Sequence, residues 1–186
     1  MLPEQDADKL VAQNRGLLVL EGAMSPKITI KLLLVLLLVC TIASSVVAQM
    51  PNPYGPSISL EAAKKVAAPA VAEAAKNNWN IAVAIVDPSG NLVYYEKMDN
   101  TQLGSAHVAV EKARTAAMFK RPTKAFQDAL ATGGENLRTL SLPGVVAAEG
   151  GIPLVVDGKI VGAIGVSGMT SAQDSQCAKA GAESMK

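Results

Sequence analysis

The stretch GSAHVAVEKARTAAMFKRPT, residues 104–123, contains His107, the only histidine of the chain. One neutral imidazole nitrogen is chemically sufficient to ligate a metal or a haem iron, provided that apolar walls close around the bond. The same stretch carries Glu111, Lys112 and Arg114, and it ends in the basic turn KRPTK, residues 120–124. A helix start presents free amide groups, and nearby cations strengthen their pull on an anion. Arg121 and Lys124 are therefore candidates to hold a ligand carboxylate or phosphate, against the plainer reading of a solvated basic turn.

On a helical wheel, Ala106, Ala109, Val110, Ala113, Ala116 and Ala117 share one broad arc, the face expected to pack on a sheet. His107 lies about 120° from the centre of that arc, with Glu111, Arg114 and Met118 within about 40° of it. Three roles stay open for His107. It is an exposed imidazole beside Glu111 and Arg114, an axial haem ligand with Arg114 or Lys112 available to a propionate, or a subunit-interface residue.

Other chemistry is sparse. GAIGVSGMTSAQD, residues 162–174, runs through glycines into a helix start, but it lacks the G-x-G-x-x-G spacing of a dinucleotide site and has no G-K-[ST]. An anion site at Gly168–Ala172 is a lesser alternative to a tight turn, and EGGIP reads as a turn entering a strand. Glu96, Asp99, Glu149 and Asp174 are scattered acids that turns, caps or surface explain, and no conventional catalytic constellation is visible. The chain has two cysteines, and neither joins a cluster with metal spacing.

The elements that must position these residues follow from local chemistry. Ser59 caps a helix beginning at Leu60, with Pro69 expected to kink or interrupt it. Asp87-Pro88-Ser89-Gly90 has the residue order of a type I turn between strands at about 81–87 and 91–98. The His107 helix runs from about Leu103 to Phe119 and stops before Arg121-Pro122. Thr123 caps the next helix, Gly133 and Gly134 end it, and a short helical turn follows to Leu140. Asp157-Gly158 marks a second hairpin, and Ser171 with Asp174 has capping-box spacing before the last helix. Hairpins rule out a doubly wound parallel sheet. The expectation is an α+β domain with a five-stranded antiparallel sheet flanked by helices.

The 186 residues favour one domain with appendages, and a net charge of +1 gives no field directed at nucleic acid. At the N-terminus, Lys27 and Lys31 precede the apolar run LLLVLLLVCTIA and then SSVVAQ. This charged, apolar, small-residue order reads as a signal peptide over residues 24–48, cleaved after Ala48. Residues 1–23 read as an extension ahead of the true start at Met24, and residues 49–57 as a Pro-rich linker. Export to the periplasm or the extracellular space follows. The alternative is a chain anchored in the membrane by the uncleaved segment.

Four blocks in order, VAIVDPSGNLVYYEKMDN, LGSAHVAVEKARTAAMFKRPT, PGVVAAEGGIPLVVDGKIVGAIGVSG and QDSQCAKAG, resemble the GlcG/HbpS family, also termed haem-degrading, whose domain forms the C-terminal part of PduO proteins. The resemblance spans residues 58–186. It implies a profilin-like α/β sandwich that assembles into homo-oligomers, often octamers. It also implies haem or another tetrapyrrole as ligand, and for exported members a membrane sensor as partner. On that basis the expected function is an exported haem-binding accessory protein, with His107 as the metal ligand and Glu111, Arg114, Arg121 and Lys124 around the cofactor. The alternatives are a protein of the same fold that binds a small non-haem carboxylate or serves as a scaffold, or a weak haem-degrading activity.

Overall fold

The computed structural model describes residues 51–185. The expected extension at 1–23, the signal peptide at 24–48 and the first two residues of the linker lie outside the described residues. Among the described residues, no helix is long and apolar enough to cross a membrane.

Alternation of side chains along two central strands builds the domain. Helix α1 (Leu60–Lys76) leads into the hairpin of β1 (Ala82–Val86) and β2 (Leu92–Lys97). Helix α2 (Leu103–Met118) and helix α3 (Lys124–Thr132) follow, then a 3-10 helix at Gly134–Ser141. A second hairpin, β3 (Gly151–Val156) and β4 (Lys159–Ser167), precedes helix α4 (Ser171–Glu183). The strands form one antiparallel sheet in the order β2-β1-β4-β3. Val83 and Ile85 of β1 pack with Ile164 and Val166 of β4 against α1 and α4. Ala82, Ala84 and Val86, with Ala163, face Ala109, Ala113, Ala116 and Ala117 of α2. The large side chains thus fill one interlayer space, and the small ones let α2 lie close on the other face.

The turn chemistry behaves as the sequence predicts. Asp87 Oδ1 accepts from the amides of Ser89 and Asn91 at 2.8 and 2.9 Å, and Gly90 sits at φ +84° to close the hairpin. Asp157 and Gly158 take φ +49° and +71°, the paired left-handed residues of a tight two-residue turn. Ser59 caps α1 through the Ala62 amide at 3.2 Å.

Four differences have physical causes. The helix α1 runs through Pro69 without a break. The hydrogen bond that proline cannot make belongs to the carbonyl of Lys65, whose side chain is on the solvent side, where water can replace it. The sheet has four strands among the described residues, not the expected five. Val145 and Val146 do not enter a ladder, because their amides are taken by the Leu142 carbonyl and the Thr115 hydroxyl. The Thr123 hydroxyl does not cap α3 and instead accepts from the Gly151 amide at 2.9 Å. The capping box of α4 is formed by Thr170 and Gln173, not by Ser171 and Asp174.

The segment read as a linker is tied down from Pro53 onward. Pro53, Gly55 and Ile58 exchange backbone hydrogen bonds with Ile160 and Val161 of β4. The Tyr54 hydroxyl donates to the Ala117 and Met118 carbonyls at the end of α2.

Candidate functional site

Helix α2 carries most of the sequence candidates, and its orientation decides what each can reach. Its buried residues include Ser105, Ala109, Lys112, Ala113, Thr115, Ala116 and Ala117, while Ala106 and Val110 are half-buried. The buried arc is therefore centred nearer Ala109 and Ala116 than the apolar pattern predicts. This rotation puts His107 about 180° from its centre, on the outer face and not at its flank. His107 is exposed and makes no side-chain hydrogen bond among the described residues. Leu103, 84% exposed, lies one turn before it, and the exposed Val108 projects about 100° further round the helix.

The rotation has a polar cause. Lys112 is buried, with its Nζ donating to Asp174 Oδ2 at 2.7 Å and to the Val166 carbonyl at 3.1 Å. The Lys112 and Asp174 side chains are 2% and 3% exposed. Asp174 Oδ1 also accepts from the Met169 amide at 3.0 Å. The anion that occupies the glycine turn before α4 is thus the chain's own carboxylate, so an external anion at Gly168–Ala172 would have to displace it. Burial pushes the Asp174 carboxyl up from its ordinary value, while Lys112 and the amides of Met169 and Gly168 pull it down. Lys112 is consequently withdrawn from any role toward a propionate.

The remaining candidates fall in separate places. Arg114 pairs with Glu111 at 2.6 Å and also donates through Nε to the Gly90 carbonyl at 3.0 Å. Both side chains border the His107 face. Arg121 and Lys124 lie beyond the other end of α2, about 20 Å along its axis from His107 at 1.5 Å per residue. In one chain they do not share a site with the imidazole. Lys120 stacks over the Tyr54 ring at 4.2 Å, and Lys124 is paired with Asp128 at 2.7 Å. Arg121 has no acidic partner among the described residues; its Nε donates to the Phe119 carbonyl at 3.1 Å, and its guanidinium lies over the Phe126 ring at 5.5 Å.

Among the described residues, no group of three or more His, Cys, Asp or Glu side chains could hold a metal ion. Cys177 is fully buried, and burial first, then the nearby carboxylates of Glu73 and Asp174, pushes its thiol up to about 11. At pH 8 only about one such thiol in a thousand is ionised. We expect iodoacetamide to modify Cys177 after denaturation and to leave it unmodified in the native protein, as read by peptide mapping. Rapid native labelling would mean that the α1–α4 layer opens readily.

Residues 58–183 match the family described as haem-degrading protein HbpS-like. The protein GlcG of Escherichia coli K12 is 42% identical over 110 residues, covering 59% of this chain and 81% of GlcG. A double mutant of HbpS from Streptomyces reticuli superposes with a TM-score of 0.66 at 32% identity, covering 77% of this chain and 97% of that one. The crystal structure of a PduOC–heme complex gives a TM-score of 0.63 at 27% identity, covering 69% and 94%.

Proposed function

This chain belongs to the HbpS-like family, and from that membership we propose that it is a haem- or tetrapyrrole-binding accessory protein in which His107 would hold the metal. The observation that carries the reading is the exposed imidazole on the outer face of α2, without a hydrogen-bond partner among the described residues and one turn from the exposed Leu103. It is supported by the likeness to PduOC, whose structure was solved with haem.

The residues fit the group on one side. His107 can give a neutral nitrogen, and Leu103, one turn before it, gives an exposed apolar side chain next to it. The Glu111–Arg114 pair borders the same face, and its guanidinium can meet a propionate if the pair opens. The described residues offer no second apolar wall on this face, and we assign that wall to a second copy in a homo-oligomer. His107 would hold the iron and Arg114 a propionate, and the bound haem would supply a redox-active iron. Export belongs to the same reading and rests on the signal-peptide pattern of residues 24–48; a membrane sensor as partner rests on the family resemblance alone.

Haem titration tests the site. The wild-type protein should give a shifted Soret band, and His107→Ala should abolish the shift. Its affinity should fall by more than the roughly 10–100-fold that loss of a supporting contact costs at a metal site. Light scattering on the same samples should give a mass above that of one chain. An unchanged spectrum and affinity in His107→Ala removes the histidine from the site, and a monomeric haem complex removes the second copy.

A further inference from the structure

Arg121 leads to a second site, away from His107. A cavity of about 310 Å³ lies between α3 and the 3-10 helix, and both Arg121 and Arg138 line it. Phe126, Leu142, Asn136 and Thr139 also contribute to its wall, and none of its lining residues is acidic. Neither arginine has an ion-pair partner among the described residues. Two cationic residues lining one small space repel each other unless an anion sits between them.

The cavity is also rigid where it needs to be. Phe126 is 6% exposed and held edge-on against Phe119, with ring centroids 5.5 Å apart. Arg121 is fixed at Nε by the Phe119 carbonyl and lies over the Phe126 ring at 5.5 Å. Its terminal nitrogens are thereby left to donate, in the planar fork that suits an oxyanion. Thr139, 8% exposed, places a polar side chain in the same wall. Arg138 reaches the same space from a segment bounded by Gly133, Gly134 and Gly144, all at positive φ.

We propose that this cavity binds a small oxyanion, a carboxylate or a phosphate, between Arg121 and Arg138. Its volume lies at the lower end of the range for small-molecule sites, and the aromatic and aliphatic wall suits a compact carbon body attached to the charged group. The site is independent of the haem reading, because it shares no residue with the His107 face.

Calorimetric titration of the purified full chain with succinate and, separately, with inorganic phosphate tests the proposal. At least one probe should bind. Arg138→Gln and Arg121→Gln should each weaken it about tenfold or more, the size of one lost charge-assisted hydrogen bond. Lys65→Gln, a charge change on the exposed side of α1, should leave binding unchanged, and circular dichroism should show each variant folded. Preference for succinate or for phosphate identifies the charged group of the ligand. Absence of binding by both probes overturns the proposal, as does Arg138→Gln binding as tightly as wild type. Loss of haem binding in Arg138→Gln without loss of either probe would also overturn it, by making this cavity a propionate seat.

Discussion

Asp174→Asn should lower the free energy of unfolding by about 3–5 kcal/mol, the cost of breaking a buried pair and leaving one charge behind. Lys112 and Asp174 are almost wholly removed from water, so solvent screening gives no discount. In the variant, the Lys112 ammonium keeps the Val166 carbonyl but loses its counter-charge. Natural domains have total stabilities of about 5–15 kcal/mol, so this one change removes a large share.

Lys112→Met should cost less, because the stranded group has an escape. Asp174 retains the Met169 amide, and burial already pushes its carboxyl up. Without Lys112 the chief downward influence is gone, and the native carboxyl rises further above its value in the unfolded chain. A group raised in this way stabilises the fold while protonated and loses that contribution as pH rises through its native value. Lys112→Met should therefore recover stability relative to wild type as pH is lowered from 7 toward 5. The double variant should lose less than the sum of the two single changes. Urea unfolding at both pH values reads all three outcomes. A loss below about 1 kcal/mol in Asp174→Asn, or additivity in the double variant, would show that the pair is not coupled.

The same pair explains where the sequence was readable and where it was not. Both hairpins were legible because their turns are dictated locally, by the Asp87 carboxylate and by the φ values that Asp157 and Gly158 tolerate. The alternation of β1 and β4 also pointed to a sheet with helices on it. The face of α2 was misjudged because a lysine at Lys112 ordinarily signals solvent. Its partner lies 62 residues away on α4, and no local pattern announces that pairing. The extra strand failed for a similar reason, since the Thr115 hydroxyl that captures the Val146 amide is 31 residues from it. Of the basic turn, the sequence identified Arg121 but missed Arg138. A lone arginine inside GGENLRTLSLPG carried one usable signal, a cation in a glycine-bounded segment, but its place beside Arg121 is a tertiary fact.

Gly165→Ala should be among the most damaging single methyl additions in this domain. Gly165 lies toward the C-terminal end of β4, paired with Ala84 on one side and Gly151 on the other. A Cβ at this position would overlap the Ala109 carbonyl oxygen and stand 2.5 Å from the Ala113 amide nitrogen and 2.9 Å from its methyl. The obstacles are helix backbone, which cannot rotate away as a side-chain tip can. To admit the methyl, α2 must lift from the sheet, and the contacts of Ala109, Ala113 and Ala116 loosen together. Overpacking typically costs about 1–3 kcal/mol, and a clash with two backbone groups belongs at the top of that range or above it. Gly104→Ala supplies the opposite case on the same helix. A Cβ there meets nothing within 4 Å, and alanine is a better helix former than glycine by up to about 1 kcal/mol. That variant should be slightly stabilised, by a few tenths of a kcal/mol given its place in the first turn. Denaturant midpoints for the two variants should thus move in opposite directions from wild type. If Gly165→Ala unfolds within about 0.5 kcal/mol of wild type, then α2 is not seated on β4 as closely as its alanine face allows, and the buried Lys112 could not reach Asp174.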